Sequence, residues 1–294
     1  MKESGARRAP QPVAQRAAIA AGRREQGPRG VPIHGADGFA AMRRAGRLAA
    51  ETLDYITPFV VPGVSTGELD RLIDSFMRRH GGIPATLGYK GYPKSCCISV
   101  NHVVNHGIPS DDKRLMAEDI ANIDVTVILD GWYGDTSRMY VVGGTTSIKR
   151  QKLVDVTFES MWAGIRAVRP GATLGDVGHA IQRVAEAARF SVVRDFVGHG
   201  VGLNFHEAPE VRHFGRPGEG MSLRPGMIFT IEPMINAGRF EVKILSDGWT
   251  TVTKDREPSA QFEHTVGVTE DGVEVFTLSP AGLDRPPYAV VSPA

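Results

Sequence analysis

The chain is nearly without cysteine: among 294 residues it has two, side by side at Cys96 and Cys97. Neighbouring cysteines are poorly placed to bridge, and one pair makes no disulfide framework. A small disulfide-stapled fold is therefore excluded, and a reducing cytoplasmic setting is the expectation. Long apolar runs are missing too, none approaching the ~20 residues that a membrane-spanning helix requires. Net charge is close to absent, with 34 Lys and Arg against 33 Asp and Glu. That balance gives no push toward a membrane surface or toward specific nucleic-acid binding. What remains is an ordinary globular mixture, 41% hydrophobic and 23% charged. Its length suits one large or two small domains with a sizeable core.

The charge that is present is unevenly placed. Residues 1–30 hold seven Lys or Arg against Glu3 and Glu25, and no aromatic residue. Such a segment buries too little apolar surface to offset its ordering entropy. It reads as a basic disordered tail over residues 1–33, without the apolar segment of a secretory signal. An organelle transit peptide shares its Arg-rich, acid-poor character, and a plain solvated extension fits as well. One domain is expected over 34–280, with a second tail over 281–294.

Within that domain the apolar spacing predicts four helices. The first has Asp37 as its N-cap, carries Phe39, Met42, Ala45, Ala49, Leu53 and Ile56, and stops at Pro58. Ser65 and Glu68 form a capping-box pattern for the second, which Gly81-Gly82 ends. The third carries Val154, Met161 and Ile165, and the fourth starts near Thr173 and carries Val177 and Ile181. Strands are expected near 96–101, 119–129, 137–142, 191–195, 227–236, 240–245, 248–253, 261–269 and 273–277.

The helix pairs look like copies. Pro62-Gly63-Val64-Ser65 opens the second helix and Pro170-Gly171-Ala172-Thr173 the fourth, a spacing of 108 (62 to 170). The segments Leu115–Asp124 and Leu223–Glu232 align at the same spacing (124 to 232). One spacing for two separate segments indicates a duplicated half-domain, which would set Asp124 and Glu232 at equivalent strand positions. Glu263 also sits in an alternating strand pattern, and Asp135 follows in a Gly134-Asp135-Thr136 turn. Each carboxylate alone fits a solvated strand face. As a set they are unusual, because acidic residues are depleted in strands. If the four converge, divalent cations would relieve their repulsion. His199 lies between glycines in Gly198-His199-Gly200, with His206 seven residues on and His106 in Asn105-His106-Gly107. A lone histidine in such a loop is usually a turn residue. Carboxylates with one imidazole suit Mn, Fe, Co or Zn rather than Ca.

Several of these stretches together resemble one known family. They are Gly88-Tyr89-Lys90-Gly91-Tyr92-Pro93, His106-Gly107-Ile108-Pro109, Asn122-Ile123-Asp124-Val125-Thr126, Gly134-Asp135-Thr136-Ser137, Gly198-His199-Gly200, Phe205-His206-Glu207, Thr230-Ile231-Glu232-Pro233-Met234 and Gln261-Phe262-Glu263-His264-Thr265. In this order, from about residue 34 to about 280, the chain is similar to bacterial type I methionine aminopeptidases. The resemblance implies an α+β pita-bread fold, two pseudo-symmetric halves of curved antiparallel sheet with outer helices around a dinuclear metal site. It implies Asp124, Asp135, His199, Glu232 and Glu263 as ligands of two divalent ions, with Asp135 and Glu263 bridging. Glu232 would also move protons, and His106 and His206 would touch the substrate. Tyr89, Tyr92, Cys97, Phe205 and Trp249 would form the methionine pocket. The implied reaction removes the initiator methionine from nascent chains and N-terminal methionyl peptides when the second residue is small. A monomer and a transient ribosome contact are the family expectations. An X-Pro aminopeptidase of the same fold and a non-catalytic binding protein are the alternatives. The first should carry a large N-terminal domain and the second a substituted ligand. Departures are His102 where an acid is common, Asn105 where cysteine is common, and Glu118 in place of a frequent glycine.

Overall fold

Helix α1 (Ala36–Ile56) buries the expected stripe from Phe39 to Ile56. The computed structural model that places it describes residues 30–288 and the backbone of Glu25–Gln26. The N-cap of α1 is Gly35, in extended conformation, and not Asp37, which lies in the first turn where the helix dipole favours a carboxylate. A 3-10 turn at Thr57–Phe59, containing Pro58, follows its end. Helices α2 (Thr66–Arg79), α3 (Ile148–Ala167) and α4 (Leu174–Ala187) are the others among the described residues. Ser65 caps α2 by accepting from Glu68 N–H at 3.1 Å, whereas the reciprocal box forms at Thr173 with Asp176. Past α2, Gly81 takes φ +80, and Gly82 N–H returns to Met77 O at 2.9 Å.

The spacing of 108 recurs in three dimensions. Helices α2 and α4 have 14 residues each and keep the offset at both ends (66 to 174, 79 to 187). Gly63 N–H donates to Leu115 O at 2.7 Å, and Gly171 N–H to Leu223 O at 3.0 Å. The bridges Ser65 to Arg114 and Thr173 to Ser222 obey the same offset. These are backbone bonds, so the duplication is one of chain path and not only of residue type.

Nine strands make the central sheet: β1 (Ile83–Pro84), β2 (Cys97–Val100), β3 (Ile120–Leu129), β4 (Trp132–Val141), β5 (Gly198–Gly200), β6 (Glu207–Val211), β7 (Ile228–Ile231), β8 (Glu263–Val268) and β9 (Val273–Val275). Their order is β6-β5-β7-β8-β4-β3-β1, with β2 also on β3 and β9 also on β8, and every pairing is antiparallel. Alternation sends Ile123, Val125 and Val127 toward the helices, into a cluster with Leu53 and Ile73. Phe229 and Ile231 enter a second cluster with Val154 and Ile181. The opposite face carries Asp124, Thr126, Asp135, Thr230 and Glu263. Most of it is buried, so those carboxylates do not form a solvated strand face.

Several element bounds differ from expectation. Strand β4 starts at Trp132, five residues early, which puts Asp135 in a strand and not in a turn. The turn is Asp130-Gly131, with φ +51 and +83, a two-residue hairpin connection. The expected 227–236 strand breaks at Glu232-Pro233, giving β7 and a separate Met234–Asn236, because proline has no N–H for a ladder. Strands β5 and β6 were not expected, since neither has a β-branched run. Met234–Asn236 pairs with Ser259–Gln261 and Ser191–Val192, and Thr251–Thr253 pairs with Val242–Ile244 and Val103–Asn105.

The domain also extends past both expected boundaries. Val31, grouped with the tail by composition, is buried in the second cluster, and Pro32–Ile33 pairs with Glu25–Gln26. The rest of the expected basic tail, and residues 289–294, lie outside the described residues. Of the segment expected as a C-terminal tail, 281–288 packs on the domain: Tyr288 is partly buried and donates to Met139 O at 2.8 Å. Among the described residues no helix is long and apolar enough to cross a membrane.

Candidate metal centre

Two cross-strand rows build the polar face. In the first, Cys97 on β2 stands opposite Asp124 on β3, Asp124 opposite Ser137 on β4, and Ser137 opposite Glu263 on β8. In the second, Thr126 faces Asp135 across the β3–β4 hairpin, and Thr265 faces Thr230 across β7–β8. Thr265 Oγ donates to Asp135 O at 2.7 Å, which joins those two pairs. Thr230 Oγ accepts from His199 N–H at 3.0 Å and so brings β5 to the end of the row. The glycines beside His199 allow this approach. A Cβ on Gly198 would sit 2.5 Å from Thr230 O, and one on Gly200 would sit 2.1 Å from Ala208 O.

All five expected ligands converge on one cavity. One donor atom each from Asp135, His199 and Glu263 lies within 4.8 Å of the others. His199 Nε2 is 3.6 Å from Asp135 Oδ2 and 3.5 Å from Glu232 Oε1. Hydroxyls orient the acids: Thr126 Oγ donates to Asp135 Oδ1 and Thr230 Oγ to Glu232 Oε1, both at 2.7 Å. Gln261 Nε2 donates to Glu232 Oε2 at 3.3 Å.

Electrostatics point the same way. Burial pushes Asp124 up to about 7. Burial first, and then repulsion from the neighbouring carboxylates, lifts Asp135, Glu232 and Glu263 well above the carboxylate range. Burial lowers His199 to about 4, which leaves its imidazole neutral, with a lone pair to give, near pH 7. Four carboxylates this close and this buried resist ionising together. Divalent cations at the centre would remove that conflict, and oxygen donors with one imidazole suit them. The residues therefore fit a metal.

The cavity, about 310 Å³, has a second, aromatic wall. Tyr89, Tyr92, Cys97, Phe205 and Trp249 all line it, as do His106 and His206. Tyr92 and Trp249 meet edge to face at 5.1 Å, and Tyr89 and Phe205 lie 4.7 Å apart. The Tyr92 hydroxyl lies 3.1 Å from the carbonyls of Cys96 and Gly107, which fix its ring in place. His206 stacks on Tyr89 and lies 4.1 Å from the His199 ring, while His106 sits between Phe196 and Trp249 at 5.5 and 6.2 Å. His106 is held neutral by burial, its pKa lowered to about 4. Sequence reasoning missed Phe196, a lone aromatic before Gly198, and His213, which touches Glu232 through its backbone. A third histidine at the same spacing of seven (199, 206, 213) was visible, but in irregular chain that spacing defines no face.

A duplicated antiparallel sheet with converging carboxylates and one histidine defines a protein built to hold divalent metal. The sequence pattern of metallopeptidase family M24 matches residues 40–270, and the chain belongs to that family. A divalent metal is accordingly its cofactor. A methionine aminopeptidase of Rickettsia prowazekii is 58% identical over 260 residues, covering 88% of this chain and 99% of the relative. The crystal structure of the methionine aminopeptidase from Rickettsia prowazekii superposes with a TM-score of 0.83 at 57% identity, covering 84% of this chain and all of that one. A prolidase from Pyrococcus furiosus shares the fold at 21% identity and a TM-score of 0.67, covering 83% of this chain and 65% of its own. The pita-bread α+β fold is thus the one observed.

Proposed function

We propose that the chain is a methionyl aminopeptidase that removes the initiator methionine when the second residue is small. The observation that carries this reading is one cavity with two walls, five metal donors on one and an aromatic pocket beside Cys97 on the other. Asp124, Asp135, His199, Glu232 and Glu263 would hold two divalent ions, Co, Mn, Fe or Zn. Bound there, such ions supply Lewis-acid polarisation of the scissile carbonyl and a nucleophile from water near neutral pH.

The chain's own residues do the rest. Tyr89, Tyr92, Phe205 and Trp249 enclose the methionine side chain, with sulfur–aromatic contacts of about 0.3–1.5 kcal/mol each. His206, at the cavity mouth beside His199, donates to the carbonyl oxygen as charge develops there. His106, neutral at working pH, faces the scissile amide nitrogen. Glu232, held by Thr230 and Gln261, takes a proton from the attacking water and returns one to the leaving amine. The free α-amine of the substrate would lie against the wall that carries the carboxylates, which would limit cleavage to the first residue. Cytoplasmic nascent chains are the natural source of such substrates, met in transient contact with the ribosome by a monomeric enzyme.

An X-Pro aminopeptidase reading has only the shared fold behind it, and a binding protein without metal would need a lost ligand where all five are present. Kinetics on Met-Ala-Ser and Met-Lys-Ser peptides test the proposal. Rapid release of methionine from the first and poor release from the second is the expected result. Equal rates on both, or cleavage of Ala-Pro-Ser in preference to either, would overturn it.

A further inference from the structure

Glu232 lies one residue past the end of β7 and just before Pro233, so the β7–β8 ladder stops short of it. Its N–H donates instead to Nε2 of His213, at 3.1 Å. An amide N–H can only donate, so His213 carries its proton on Nδ1 and presents the Nε2 lone pair to Glu232. That lone pair is thereby engaged, and His213 is no further metal ligand. The residue is fully buried, and its Nδ1 makes no hydrogen bond among the described residues. A buried donor left unmet costs about 1–3 kcal/mol. An apolar side chain would avoid that cost but would strand the Glu232 amide.

The chain around His213 is fixed from behind. Gly178, inside α4, lets this backbone lie directly on the helix: a Cβ there would meet Phe214 O at 2.5 Å and Arg212 O at 2.7 Å. Glycine inside a helix costs about 1 kcal/mol relative to alanine, so the close approach has a structural use. Gly215 N–H donates to Gln182 Oε1 on the same helix, at 3.1 Å. Helix α4 thus holds the 212–215 segment, which holds His213, which holds the backbone of Glu232.

We infer that His213 is a positioning residue for Glu232, its Nε2 standing in for the missing strand neighbour so that the carboxylate faces the cavity. The inference rests on the reading of Glu232 as metal ligand and proton carrier. Three variants test it. His213→Gln keeps an acceptor at the distance of Nε2, His213→Asn keeps a polar group that falls short, and His213→Leu keeps only bulk. Each is measured for Mn²⁺ affinity by calorimetry, for kcat and KM on Met-Ala-Ser, and for melting temperature. Outer partners of metal ligands typically contribute roughly 10–100-fold in affinity or activity. The Asn and Leu variants should show losses of that order in Mn²⁺ affinity and kcat, with KM within about threefold, and the Gln variant should recover most of both. A merely structural role would lower melting temperature alike in all three and leave the folded enzymes equal in affinity. That result would overturn the inference, and so would a Gln variant as impaired, or as unfolded, as Leu. If the parent chain cleaved no methionyl peptide, the functional reading would fall, while the Mn²⁺ affinities would still judge the positioning.

Discussion

The two halves of the molecule share a chain path but hold their matched acids differently. Asp124 sits in the middle of a ten-residue strand, with Cys97 and Ser137 opposite it on either side. Glu232, at the same place in the repeat, follows a four-residue strand and precedes Pro233. The first half reaches the cavity with a short side chain on a rigid ladder. The second reaches it with one more methylene, two side-chain donors from Thr230 and Gln261, and a histidine under the backbone. The helix pair keeps its length and offset in both halves, whereas around the second acid side-chain bonds stand where the first has a ladder. The second half also adds His199, whose counterpart at the same offset (199 to 91) is Gly91. Duplication therefore accounts for the scaffold and one pair of the cavity's acids, and departure from it accounts for the rest.

If both halves are needed at the centre, removing an acid from either should be equally damaging. Asp135→Asn from the first half and Glu263→Ala from the second should each lose metal and activity together, with no measurable turnover. Metal content by mass spectrometry alongside peptide cleavage checks this. A fully active, fully loaded variant of either kind would remove that half from the centre.

The next largest effect centres on the buried ion pair of the first half. Arg138 is 1% exposed and is met by Asp54, which also receives Ser279 Oγ at 2.7 Å. Breaking a buried pair by deleting one partner costs about 3–5 kcal/mol. Asp54→Ala should therefore lower the denaturant midpoint sharply while the Mn²⁺ affinity of the folded protein stays within about twofold of the parent. A drop in both would show that this network bears on the site.

His206 separates catalysis from metal holding in the second half. His206→Ala should keep its metal and fold and lose roughly 10²–10³-fold in kcat, the usual effect of removing one donor to a developing oxyanion. His199→Ala should lose metal instead. Comparable metal loss in the two variants would dissolve the distinction between the histidines.

The smallest effect compares the caps. Ser65 makes one side-chain bond to its helix, while Thr173 makes the reciprocal pair with Asp176. Both alanine variants fall within about 0.5–2 kcal/mol, with Thr173→Ala at the upper end. Thermal unfolding of the two, read side by side, gives the order directly, and a larger loss at Ser65 would contradict it.

Much of this is legible in the sequence. The helical stripes are periodic and bury what they should, and the repeat showed itself because Pro-Gly openings and capping residues are constrained by backbone geometry. Asp124, Glu232 and Glu263 were found by alternation, which places Asp124 and Thr126 on one face whatever the strand pairs with; Asp135 was read as a turn residue. Strands β5 and β6 were invisible because Gly198-His199-Gly200 has no strand preference; the Thr230 hydroxyl, accepting from His199 N–H, holds it there. The start of β4 was missed although Asp130-Gly131 signals a hairpin, because Gly134-Asp135 reads as a turn on local grounds. His213 was out of reach, since its role depends on where Pro233 ends a strand twenty residues later (213 to 233).

The claim that joins these points is that acids from both halves hold metal for the reaction. It is tested most directly by titrating Mn²⁺ into chelator-stripped protein while following methionine release from Met-Ala-Ser. Two equivalents should bind, and activity should be absent without metal and return with it. Turnover in the stripped protein, or a folded chain that binds no metal, would contradict the account.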